Sequence, residues 1–228
     1  MSSVQAFPFN VWQGTNYGQP KLSMATRVGY RAGADTKLIG TENHPFPAWL
    51  SFYLNNELRK RSHPPEKIID ALGMKATDTV LDFGCGPGFY SVPFAKTARE
   101  VVAVDAQSKM LEKTSKFAEK NGVKVKALQS DGRSIALPDC CFDLIFLSGV
   151  YHELAEKRKV LTELKRLLKH GGRIVIRERT KRDHITLGPP AVDIEEASEE
   201  LKVVGFVALT SATDPSDKTA TLMTSTAE

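Results

Sequence analysis

Thr79-Val80-Leu81-Asp82-Phe83-Gly84-Cys85-Gly86-Pro87-Gly88-Phe89-Tyr90-Ser91 is the stretch whose reading decides the fold. Val80, Leu81 and Phe83 form a short apolar run, as a parallel strand does when both its faces are covered. The glycines at alternate positions 84, 86 and 88 then let the backbone turn sharply and approach a ligand closely. Strand, glycine turn and helix in this order are expected to present free backbone N–H groups at a helix N-terminus. On the glycines alone, an ordinary βα turn reads equally well.

Charge and spacing narrow the ligand. A dinucleotide fingerprint is G-x-G-x-x-G. Here the spacing is G-x-G-x-G, Phe89 stands where the third glycine belongs, and Pro87 removes one N–H from the loop. Asp82 would set a carboxylate beside any bound phosphate, where like charges repel. A ligand with a cationic head suits that carboxylate better.

The pattern Asp82-x-Gly84-Cys85-Gly86-x-Gly88 resembles the first motif of the class I S-adenosylmethionine-dependent methyltransferases. S-adenosylmethionine carries an ammonium and a sulfonium and no phosphate, in keeping with the charge argument. The resemblance runs from about Ile68 to the C-terminus. Ser148-Gly149-Val150-Tyr151-His152 is similar to the equivalent stretch of small-molecule methyltransferases, including the ubiquinone/menaquinone (UbiE-like, methyltransferase type 11) branch. The Asn- or Asp-Pro-Pro-Tyr motif of enzymes that methylate adenine or glutamine is missing there, which argues against those substrates.

The chain around this centre alternates strands and helices. Strands are expected over 79–83, 100–105, 123–129, 142–147 and 173–177. The helices between them are expected from Phe89 to Thr97, Gln107 to Asn121, Glu153 to Lys169 and Ile194 to Val204. Gly171-Gly172 is expected to stop the third of these, and segments 206–212 and 219–226 to form a closing hairpin. The alternation argues for an α/β, Rossmann-like, mostly parallel sheet. The resemblance implies seven strands with the last inserted antiparallel. Upstream, a helix is expected from about Ala48 to Arg61 and a shorter one over Glu66–Leu72. Residues 1–67 read as a helical and irregular N-terminal extension and residues 68–228 as the cofactor-binding domain. The aromatics Phe7, Phe9, Trp12, Tyr17 and Tyr30 make 1–43 a candidate lid over cofactor and substrate, with a loose arm as the alternative.

With 228 residues and a net charge of +4, from 31 basic and 27 acidic side chains, the composition gives little support to a nucleic-acid partner. The basic run Lys157-Arg158-Lys159, Lys165-Arg166 and Arg177 to Arg182 reads as a solvated face, with an anionic substrate or surface as the alternative. The cysteines Cys85, Cys140 and Cys141 are odd in number and have no zinc-site spacing, so neither disulfides nor a metal is expected. No stretch has the roughly 20 apolar residues of a membrane span. Met1–Asn10 has no basic segment followed by an apolar one, and a cytoplasmic location is the default.

Ligands of such sheets bind at the carboxyl ends of the strands. The resemblance therefore implies a site built from Asp82, Gly84, Cys85, Gly86 and Gly88, with Asp105 on the ribose hydroxyls. Ala106 and Met110 would flank the adenine, Asp131 and the Gly132 region would meet its edge, and Ser148 would line the methionine end. Asp105 reads alternatively as a helix cap, and Met110 as core. Tyr151 and His152 are candidates to orient or deprotonate the acceptor, since an imidazole titrates near neutrality. His152 reads equally well as a cap at the helix start. The expected function is methyl transfer to a small molecule. The alternatives are a protein or RNA methyltransferase, an oxidoreductase, or a cofactor-binding protein without transferase activity, and the oligomeric state stays open.

Overall fold

The computed structural model describes residues 57–180 and 191–228. The candidate lid over 1–43, most of the 1–67 extension and positions 181–190 lie outside the described residues. Of the helix expected up to Arg61, only its end, α1 (Glu57–Ser62), is described.

The chain then forms α2 (Pro65–Leu72), β1 (Thr79–Phe83), α3 (Ser91–Thr97), β2 (Glu100–Asp105), α4 (Ser108–Lys120) and β3 (Lys126–Gln129). It continues through β4 (Phe142–Ser148), α5 (Lys157–Leu167), β5 (Leu168–Arg179), α6 (Ile194–Val203), β6 (Phe206–Asp214) and β7 (Asp217–Ala227). The strands make one seven-stranded sheet in the order β3-β2-β1-β4-β5-β7-β6. β1 pairs in parallel with β2 on one side and β4 on the other, so strand order reverses beside it. β7 is antiparallel to both of its neighbours. The expected α/β architecture with an antiparallel last strand is what forms. No described helix is long and apolar enough to cross a membrane.

Side-chain alternation sorts the sheet into two apolar layers. Leu81, Phe83, Ile145, Leu147, Ile174 and Ile176 face α5 and α6. Val80, Leu144, Phe146 and Val175 face α2 and α3. Each fully buried side chain of this kind contributes about 1.5–3 kcal/mol. The same alternation continues to the carboxyl ends, so Asp82, Ser148 and Arg177 share the α3 face while Glu178 falls on the α5 face.

Several boundaries differ from expectation, four of them for identifiable reasons. β3 starts at Lys126 rather than Val123, because Val123 N–H still bonds to Ala118 at the end of α4 and ladder pairing begins at Val102↔Lys126. The first core helix starts at Ser91, not Phe89. The helix expected from Glu153 starts at Lys157, after a separate turn of 3₁₀ helix over Tyr151–Glu153. That helix also ends at Leu167, before Gly171-Gly172. Leu168 pairs at once with Phe142, and the glycines lie at a kink inside β5 where Gly171 has φ 71°. A Cβ on Gly172 would stand 2.8 Å from the Lys169 carbonyl oxygen, so glycine is needed there for packing rather than for stopping a helix.

One buried ion pair joins β5 to the final hairpin. Arg177 Nε donates to Asp214 Oδ2 at 2.5 Å, its Nη2 lies 3.3 Å from Asp217 Oδ2, and Asp214 is buried. Asp214→Ala would leave the buried guanidinium without its main partner, and a loss of about 3 kcal/mol is expected in urea unfolding. The apolar pair Arg177→Met with Asp214→Leu should regain most of it. A loss below about 1 kcal/mol for Asp214→Ala would contradict this account.

Candidate cofactor and acceptor site

The loop after β1 is closed by its own hydrogen bonds. Gly84 N–H and Cys85 N–H both donate to the Val104 carbonyl, at 2.8 and 3.0 Å, and Gly88 N–H donates to Cys85 O at 3.1 Å. Gly86 N–H donates to Asp105 Oδ2 at 2.9 Å. With Pro87 lacking an N–H, no residue from Gly84 to Gly88 keeps a backbone donor for a phosphate. The free N–H groups expected at the helix N-terminus are thus confined to the residues after Gly88. A loop without donors but beside two carboxylates fits the ammonium and sulfonium of S-adenosylmethionine, and does not fit a pyrophosphate.

Glycine is required in this loop. Gly84 has φ +70°, and a Cβ there would lie 2.2 Å from Val150 Cγ2. Cys85 is buried against Ala103 and Leu111 of β2 and α4, and Thr114 Oγ1 donates to Gly86 O at 2.7 Å. Cys85 therefore anchors the loop from beneath, and burial pushes its thiol pKa well up.

Asp105 plays the cap and has capacity left over. Its Oδ1 accepts from Gln107 N–H at 2.9 Å while Oδ2 holds Gly86. Burial raises its pKa, against the two N–H groups that lower it. Each carboxylate oxygen retains a lone pair for a further donor. Asp82 lies deeper and accepts from Ser91 Oγ at 2.5 Å. Burial lifts its pKa to about 7, with Ser91 opposing and the Asp105 charge adding to the rise.

The adenine side is less complete. Ala106 is exposed and its carbonyl accepts from Gln129 Nε2 at 2.9 Å. Met110 is a fully buried core residue. Asp131 is half exposed and clamped by Arg133, which holds its pKa down. The amides near it are engaged within the loop: Gly132 N–H donates to Ser130 Oγ and Arg133 N–H to Asp131 Oδ1. Gly132 is needed because a Cβ there would stand 2.4 Å from Phe83 Cζ.

At the carboxyl end of β4, Glu178 organises the next turn. This carboxylate is buried, accepts from Tyr151 N–H at 2.7 Å, and lies 3.0 Å from His152 Nδ1. Burial acts against a charged His152, but Glu178, with Glu153 behind it, outweighs this and raises its pKa. His152 Nδ1–H donating to Glu178 leaves Nε2 as the proton acceptor. Tyr151 contributes its main chain: its ring is core, and its buried hydroxyl is influenced by Glu200, Glu196 and Glu178. Glu178 escaped the sequence reading because a charge at a strand end normally means solvent. Among the described residues, no three His, Cys, Asp or Glu side chains are placed to hold a metal ion.

A family described as a methyltransferase domain matches residues 81–176. The chain is 32% identical over 170 residues to the ubiquinone/menaquinone biosynthesis C-methyltransferase UbiE of Escherichia fergusonii, covering 71% of this chain and 68% of that protein. It is 29% identical over 154 residues to the uncharacterized methyltransferase YcgJ of Bacillus subtilis, covering 67% and 59%. A crystal structure of a SAM-dependent methyltransferase from Aquifex aeolicus superposes with a TM-score of 0.72 at 28% identity, covering 79% of this chain and 98% of that one. Across the curated relatives compared, the chain spans 42% to 68% of their length.

The raised pKa of Asp82 has a consequence for stability. Its neutral form is favoured in the folded state, so stability without cofactor should fall as pH rises from about 4 to about 7, by at most ~1.4 kcal/mol per pH unit. Asp82→Asn keeps an acceptor for Ser91 and does not titrate, so its stability relative to the wild type should rise steadily from about pH 4 to about pH 7 and level off above. Parallel urea-unfolding curves for the two proteins across this range would contradict the assignment.

Proposed function

The chain belongs to the class I S-adenosylmethionine-dependent methyltransferases, in their UbiE-like branch, and from that membership we propose that it methylates a ring carbon of a small quinol-type acceptor. Its cofactor, when bound, supplies a methyl group on a sulfonium centre that is already a good leaving group, so transfer is an in-line displacement. The chain's own task is to hold the two reactants in line and keep water out, which can lower the barrier by about 7–11 kcal/mol.

The observation that carries the reading is the His152–Glu178 pair at the end of β4, beside a glycine loop that leaves no donors for phosphate. In this reading Asp105 accepts from the ribose hydroxyls, Asp82 balances the ammonium, and Ser148 lines the methionine end. Asp131 would reach the adenine amino group by giving up part of its grip on Arg133. His152 Nε2 takes the proton of a quinol hydroxyl, and the ring carbon beside it gains electron density for the displacement. The ring C–H proton leaves afterwards to restore the aromatic ring.

The basic stretch favours this over an RNA or protein substrate. Arg166 is held by Glu163 and Asp139, Lys165 Nζ donates to Gly205 O, and Lys159 lies 3.7 Å from Glu156. Much of the positive charge on α5 is thus answered within the chain. A cytoplasmic location and a candidate lid within 1–43 remain parts of the proposal.

Incubation with methyl-labelled cofactor and a short-chain demethylmenaquinol is expected to place label in the quinone fraction. Label in added protein or RNA, and none in the quinone, would overturn the reading. His152→Ala should lower turnover by roughly a hundredfold. Glu178→Gln removes the charge that raises the His152 pKa, so the rising limb of the pH–rate profile should move to lower pH. An unmoved limb would remove His152 from the role of base.

A further inference from the structure

Tyr90, just before α3, has a ring that packing explains and a hydroxyl that it does not. The ring stands edge-on to Phe89 and Phe146, with centroids 4.9 and 5.0 Å apart, and stacks on Phe94. The residue is 4% exposed, and its Oη is buried without a hydrogen-bond partner among the described residues. A hydroxyl so placed costs free energy that a phenylalanine would avoid.

The surroundings of the hydroxyl locate it. Arg177, Arg59, Asp214 and Ser148 are the groups that bear on it. Ser148 ends β4 and is paired in register with Arg177, which puts the Tyr90 hydroxyl at the carboxyl ends of β4 and β5 on the α3 face. Ser148 lies beside it at the limit of hydrogen-bond range, too far to satisfy it fully. The Arg59 guanidinium sits over the Phe89 ring, 4.2 Å from its centroid. A guanidinium has only donors, so neither arginine can receive the Tyr90 O–H. Both favour negative charge on whatever does. Burial also raises the phenol's pKa, which keeps it protonated and a donor.

We propose that Tyr90 Oη is the donor that receives an electron-rich oxygen of the acceptor molecule, the oxygen of a quinol or phenol, and so sets how the acceptor lies in the site. The inference rests on the quinol reading above and adds a specificity-determining residue to it.

The test is Tyr90→Phe, which keeps the aromatic packing and removes the oxygen. Three quantities are measured on full-length wild type and variant: the melting temperature, the affinity for S-adenosylhomocysteine, and the affinity for a short-chain 1,4-naphthoquinol in the presence of S-adenosylhomocysteine. The variant should melt at the same temperature or higher, bind S-adenosylhomocysteine within about twofold of wild type, and bind the quinol roughly tenfold more weakly. KM for the quinol should rise by a similar factor. A fall of several degrees in melting temperature with unchanged quinol affinity would show a structural hydroxyl and overturn the inference. Weakened S-adenosylhomocysteine binding with unchanged quinol affinity would assign the hydroxyl to the cofactor and overturn it too. Quinol that binds both proteins equally defeats the Tyr90 inference alone. A wild type that neither binds nor methylates the quinol defeats the quinol reading, and the inference with it.

Discussion

The carboxylate of Asp105 holds the glycine loop closed. One oxygen takes the Gly86 N–H and the other takes the Gln107 N–H, so a single side chain at the end of β2 fixes both the loop after β1 and the start of α4. Around it, Val104 O receives Gly84 and Cys85, and Thr114 on α4 secures Gly86 O. The loop's donors are used internally, and this same economy shapes the ligand it suits. A loop with no donors and two carboxylates attracts positive charge and repels phosphate. The cofactor preference is therefore a consequence of how the backbone is satisfied rather than of any single contact.

The sheet distributes the chemistry by alternation. Beyond the apolar core, the carboxyl ends of β1, β4 and β5 carry Asp82, Ser148 and Arg177 toward α3 and Glu178 toward α5. Each buried charge is answered locally. Arg177 meets Asp214 and Asp217 at the hairpin turn, and Glu178 meets the Tyr151 N–H and His152. These pairs set the geometry of the polar end of the sheet, where a missing partner costs more than the pair itself contributes.

Most of the architecture was legible in sequence because buried strands such as Phe142–Ser148 and amphipathic helices such as Ser108–Lys120 announce themselves by period. The boundaries that shifted did so for tertiary reasons that no local pattern records. Glu178, distant in sequence, captures the Tyr151 N–H in a turn of 3₁₀ helix, and α5 starts at Lys157 rather than at Glu153. Leu168 finds Phe142 as a strand partner and ends α5 early. The glycines of the candidate site were readable from spacing, and Asp105 from its place at the end of β2 together with the family resemblance. Glu178 and Arg177 were not, since a charged pair flanking a strand end looks like surface until the sheet is assembled around it. Met110, read in sequence as an adenine contact or as core, is buried in the structure.

The central claim is that the loop between Gly84 and Gly88 selects a cationic ligand without phosphates. Calorimetric titration of the full-length protein with S-adenosylmethionine, and separately with a nicotinamide dinucleotide, tests it directly. The account expects S-adenosylmethionine to bind at least roughly a hundredfold more tightly, a gap of about 2.7 kcal/mol. A dinucleotide that binds as tightly, and is displaced by S-adenosylmethionine from the same site, would contradict it.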